Sequence, residues 1–143
     1  MFKRMPTQLK EFCQQWLINT VAVLAAWIVH VAAGLIWFRP ELFGNEWSKL
    51  TGKELKPAKK WLLPGLLGHL LMIFVLVVLI KLTRAGSGWG GMLVGLLAWI
   101  GFVVPMESGE LVWEKIPFRL FLLRTGNQLI GIAVAGFILG AWQ

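Results

Sequence analysis

The sequence predicts an all-α fold, a bundle of four transmembrane helices with an interfacial N-terminal segment. Four apolar runs carry the prediction, over residues 20–38, 61–80, 89–106 and 125–142. Each approaches the roughly 20 residues that a helix needs to cross the hydrocarbon. Composition agrees: 57% of the residues are hydrophobic and only 15% are charged, where an ordinary soluble domain has about 25% charged. A water-soluble chain of 143 residues has too little interior to hide four such runs, whereas lipid covers them directly. The reading is a single integral membrane domain over 1–143, with spans near 17–38, 61–82, 88–106 and 118–142.

The first element is a mixed segment, residues 1–16. Pro6 opens it, and Leu9, Phe12, Cys13 and Trp16 recur at helical spacing between Lys10, Glu11 and Gln14. That pattern fits a helix lying in the interface or a wet extension of the first span. Lys3 and Arg4 before an apolar run resemble a secretory leader. The run is long, no small-residue cleavage pattern follows it closely and three further spans come after, so it is read as a retained span.

The first connection, 39–60, holds six of the fourteen basic residues and three acids. Phe43, Trp47 and Leu50 line one face of a short interfacial helix there, with Gly44 and Gly52 permitting turns at its ends. The second connection, 81–88, is short and contains Gly86, Ser87 and Gly88. The third, 107–117, is expected as a loop and contains Glu107, Glu110, Glu114 and Lys115. Short connections lay consecutive helices side by side and antiparallel. Of the nine tryptophans, Trp16, Trp37, Trp61, Trp89, Trp113 and Trp142 fall near span ends, where an indole anchors to the headgroups.

The net charge of +7 resides in the connections and the N-terminal segment. Its expected partner is anionic lipid, with no role in binding nucleic acid. Eight basic residues on the side of the first and third connections face five on the side of the termini. This bias puts the 39–60 connection in the cytoplasm and the termini outside. Cys13 is the single cysteine, which excludes an internal disulfide and a thiolate metal site.

From Gly34 to Trp47 the chain reads Gly34, Trp37, Phe38, Pro40, Phe43, Gly44, Trp47, in the pattern G-x-x-W-[YF]-x-P-x-x-F-G-x-x-W. This stretch resembles the DUF1761 family, and so do Trp99 to Pro105 and Trp113 to Gly126. The resemblance extends over nearly the whole chain from Ala22 onward. It implies a four-span protein of a bacterial inner membrane and no particular reaction. In that family the last helix often carries an Asn with a His four residues later. Here Arg124 and Gln128 stand at those places, so no role resting on that His carries over.

Polar groups inside spans are costly and mark candidate sites. His30 lies eight residues before Phe38 and His69 eight after Trp61, which puts both about 12 Å from one membrane face. With the last helix starting near Pro117, Arg124 is about 10 Å deep from that face, and Asn127 and Gln128 lie a little deeper. Glu107 ends the third span on the same side, as a partner for Arg124 or a histidine. Small residues share the faces of these groups. Asn19, Ala22, Ala26, His30 and Ala33 line the first helix; Gly91, Gly95 and Ala98 the third; Arg124, Gln128, Gly131 and Ala135 the fourth. Such stripes let helix backbones approach closely and are expected to face the interior. Gly91, Gly95, Gly136 and Gly140 also offer a surface to a second copy or another membrane subunit.

Three functional readings stay open. In the first, the polar layer is structural, the histidines are neutral and bonded locally, and the chain is a non-enzymatic packing or accessory component of the membrane. In the second, His30, His69, Arg124 and Gln128 form a shallow cavity for an anion, a small polar molecule or a proton path, as in a transporter. In the third, His30 and His69 ligate a haem, the single cofactor these residues suggest. No catalytic residue is assigned: Ser48, Ser87 and Ser108 lie outside hydrolase motifs, and the glutamates have no partner at metal-ligand spacing.

Overall fold

The computed structural model of the chain describes residues 6–142, with the backbone alone over 7–19. Six α-helices follow one another: α1 (Thr7–Trp37), α2 (Asn45–Thr51), α3 (Lys59–Leu82), α4 (Gly88–Ala98), α5 (Val104–Trp113) and α6 (Phe118–Ala141). Two π-helical turns, Pro40–Gly44 and Trp99–Val103, complete the order. Four stretches are long and apolar enough to cross a membrane: Thr20–Trp37, Lys59–Leu82, Gly88–Trp113 and Phe118–Ala141. The described fold is the all-α four-span bundle that the hydropathy pattern predicts.

α1 is one continuous helix of 31 residues, about 46 Å long. That exceeds the roughly 30 Å of hydrocarbon, so its first turns extend beyond the span. The Leu9, Phe12, Cys13, Trp16 and Asn19 side chains, and Lys3 and Arg4 altogether, lie outside the described residues. α1 stops because Arg39 precedes Pro40, which forces an extended backbone at Arg39 (φ −64°, ψ 146°). The chain then folds back through a turn in which the Gly44 N–H donates to the Arg39 carbonyl at 2.9 Å. Gly44 is obligatory here, since a Cβ on it would strike the Phe38 and Arg39 carbonyl oxygens. α2 ends at Gly52, whose φ of +67° reverses the chain.

The third span differs from expectation. Residues 107–113, expected in a loop, are helical as part of α5. Pro105 has no N–H to donate back along the helix. The π turn at Trp99–Val103 absorbs that break by widening the helix instead of ending it. At the other end, the Ser87 hydroxyl caps α4 by accepting from the Gly90 N–H at 3.0 Å.

α6 is the central helix: it packs most extensively on α4, then on α1, and also touches α3, α5 and α2. Glycines bring α4 and α6 together. A Cβ on Gly91 would meet the Gly136 carbonyl and Gly140 backbone, and one on Gly95 would lie 2.9 Å from the Ile132 carbonyl oxygen. Gly91, Gly95, Gly136 and Gly140 are thus consumed within one chain. The hydrophobic core joins Ala22 and Ala26 of α1, Ile73, Leu76, Val77 and Ile80 of α3, and Ile132, Ala135 and Leu139 of α6. It reaches no further towards the 39–60 connection on α3 than Ile73. Beyond that level α1 and α3 leave an open cavity between them.

Candidate functional site

The cavity has a volume of about 550 Å³, within the range of small-molecule sites. α1 supplies His30, Gly34 and Leu35, with Phe38 just past its end, and α3 supplies Trp61, Leu62, Gly65, Leu66 and His69. Asn127 of α6 faces Gly34, a turn nearer the rim than the His30–Gly131 contact, and Trp47 with residues 54–58 forms the rim. Glycine makes the space: a Cβ on Gly65 would meet nothing within 4 Å, and one on Gly34 only the Asn127 amide at 3.8 Å. The walls are mostly apolar and the polar groups sit at the two ends. At the rim, Lys56 Nζ pairs with Glu54 Oε2 at 2.9 Å, so the formal charges lining the cavity cancel.

The floor is the histidine pair. His30 is buried, with 5% of its surface exposed, while His69 is half-buried. Their ring centroids are 5.0 Å apart with 41° between the planes. His69 Nδ1 lies 2.8 Å from the Gly65 carbonyl oxygen. An imidazole nitrogen facing a carbonyl must be the donor, so neutral His69 keeps an unprotonated Nε2 that accepts. His30 Nδ1 is sealed against Gly131, where a Cβ would fall on the imidazole, and it has no hydrogen-bond partner. A buried nitrogen left without a partner costs about 1–3 kcal/mol whether it is a donor or an acceptor, so this contact does not select the His30 tautomer.

The polar layer predicted at one depth divides into two. His30, His69 and Asn127 line the cavity; Arg124, Gln128 and Glu107 do not. Arg124 turns to α5, where its Nη1 pairs with Glu110 Oε2 and lies 3.8 Å from Glu107 Oε2. Glu110 carries no role in the sequence reading, yet it is the closer partner. The Arg124, Glu107 and Glu110 side chains are each about two-thirds or more buried. Gln128 Oε1 and Glu107 Oε2 are buried without a hydrogen-bond partner. α6 has neighbours on several sides, so successive polar positions along it meet different helices.

Two indoles cross-link the bundle at helix carbonyls. Trp27 Nε1 donates to the Leu66 carbonyl at 3.1 Å, which ties α1 to α3 beside the histidines. Trp99 Nε1 donates to the Thr125 carbonyl at 2.9 Å, next to Arg124. Thr125 also donates its hydroxyl to the Phe121 carbonyl at 2.8 Å. The sequence singles out neither tryptophan. The signal for both is negative, since each sits well inside its run, where no interfacial anchor is needed. Trp37 is also no headgroup anchor: its ring lies 4.3 Å from that of Phe43 and covers Gly126. The turn at Pro40 folds Phe43 back over it. Trp61, Trp89, Trp113 and Trp142 stay exposed at span ends.

The histidine pair does not fit haem as it stands. Bis-imidazole ligation places the macrocycle between the two rings, and here the rings are in contact. The described residues contain no group of three or more His, Cys, Asp and Glu able to hold a metal ion.

Fold and site together define a four-span helical protein with the hydropathy of an integral membrane protein and a cavity between its first and second spans. The chain belongs to the family described as "Protein of unknown function (DUF1761)", which matches residues 21–140. No curated protein and no solved structure matches it.

Proposed function

We propose that this protein binds a small molecule in the cavity between α1 and α3. The observation that supports the reading best is the polar floor at the inner end of an apolar cavity. Two histidines meet there, about 12 Å below the helix ends, with Asn127 a turn nearer the rim. A bundle built only for packing has a cheaper solution, because apolar side chains at these positions would fill the space and leave no polar group to satisfy. Binding is non-covalent, and the chain's own residues suggest no reaction. The Arg124–Glu110 pair serves the α5–α6 contact and stands apart from the ligand. The accessory reading draws less support, since the close-packing glycines are used inside the chain.

The test uses an obstruction. Gly65→Phe places a ring in the cavity from a position whose Cβ meets nothing within 4 Å, so the helices need not move. Native mass spectrometry of protein extracted in its own lipids is expected to show a bound small molecule on the wild type and none on Gly65→Phe. Equal occupancy on a folded Gly65→Phe variant, or none on the wild type, rules the proposal out.

A further inference from the structure

The same floor constrains the chemistry of the occupant, provided that the cavity is a binding site as proposed. Both Nδ1 atoms are unavailable: that of His69 is engaged with the Gly65 carbonyl and that of His30 is sealed against Gly131. Only the two Nε2 atoms remain for a ligand. The Gly65 contact fixes the neutral His69 tautomer, so His69 Nε2 has a lone pair and accepts. Asn127, a turn nearer the rim, adds an amide that both donates and accepts. A group that donates to His69 Nε2 satisfies this floor, and a hydroxyl is the smallest neutral group that does so.

Electrostatics weighs against the charged alternatives. The lining holds no unpaired fixed charge, since the Glu54 and Lys56 charges neutralise each other at the rim. A carboxylate or ammonium at the floor would lie unpaired at membrane depth, where a charge is expensive. The rest of the cavity is apolar and aromatic: Leu35, Phe38, Trp61, Leu62 and Leu66. We infer that the occupant is a neutral amphiphile. It inserts a hydroxyl head first between His30 and His69 and lays an apolar body along α1 and α3 towards the rim.

Two probes differing by one donor decide this. They are 10-bromodecan-1-ol and its methyl ether, added to protein in phosphatidylcholine nanodiscs. Bromine quenching of Trp61 is read as the component lost in Trp61→Phe, with Gly65→Phe giving the background from partition into lipid. The alcohol is expected to bind the wild type about tenfold more tightly than the ether, as one net hydrogen bond provides. In His69→Phe, which keeps a ring against His30 but removes the acceptor, the two probes are expected to bind equally, at the ether's wild-type affinity. Equal binding of both probes to the wild type overturns the hydroxyl assignment and leaves the cavity as a binding site. Tighter binding of decanoate or decylammonium than of the alcohol overturns neutrality. Quenching no greater than in Gly65→Phe for every probe overturns the binding reading itself, and this inference with it.

Discussion

Gly91→Ala is expected to destabilise the protein by about 3 kcal/mol, the upper end of what overpacking costs. The added methyl would land on the Gly136 carbonyl and the Gly140 backbone. Backbone cannot swing aside as a side chain can, so α4 and α6 must part along the contact that holds the bundle together. Gly136→Ala is expected to behave alike, because its Cβ would strike the Gly91 carbonyl. Gly68→Ala makes the same chemical change at a helical position with nothing within 4 Å. It is expected to be neutral or to stabilise by up to about 1 kcal/mol through helix propensity alone. Unfolding midpoints in mixed micelles, compared across the three variants, check this. Equal midpoints for Gly91→Ala and Gly68→Ala would mean that the two helices are not in close contact.

Arg124→Ala is expected to cost about 2 kcal/mol, less than for a fully buried pair because its partners remain partly wet. Removing the guanidinium leaves Glu107 and Glu110 facing each other on adjacent turns of α5, 22% and 34% exposed, with no cation between them. The double variant Arg124→Met with Glu110→Leu is expected to recover most of the loss, since a well-packed apolar pair replaces an ion pair without leaving a charge behind. The same midpoints read the outcome. Single and double variants within about 0.5 kcal/mol of the wild type would assign the pair to solvent, where exposed ion pairs contribute little.

The sequence announces the fold through the lengths of its apolar runs, and the small-residue faces locate much of the interior. Ala22, Ala26 and His30 are buried on α1, and Gly91 and Gly95 on α4. Depth is legible for the histidine pair, which meets where its spacing places it, because residues along a helix advance by a fixed rise. It is not legible for α6. That helix sets Gly131 against His30, Asn127 against Gly34 and Gly126 against Trp37, so Arg124 lies about 10 Å nearer the membrane face than His30, and hydropathy shows neither this stagger nor which neighbour each residue meets. The cavity is illegible for a related reason. It arises from absences: Gly34 and Gly65 leave room, and the core stops at Ile73. A run of leucines around Pro64 and Gly65 reads as an ordinary span. The extension of the third helix through Trp113 is hidden by three glutamates and Pro105, which look like a loop until the π turn accommodates the proline.

A high-resolution map of the protein in lipid nanodiscs, prepared without stripping bound molecules, tests the cavity most directly. Density that belongs to neither protein nor the surrounding bilayer is expected between His30, His69 and Trp61, with its inner end within hydrogen-bonding distance of both imidazoles. Helices α1 and α3 closed side by side with no space between them, or an acyl chain of the bilayer simply filling the groove past unbonded histidines, would contradict it.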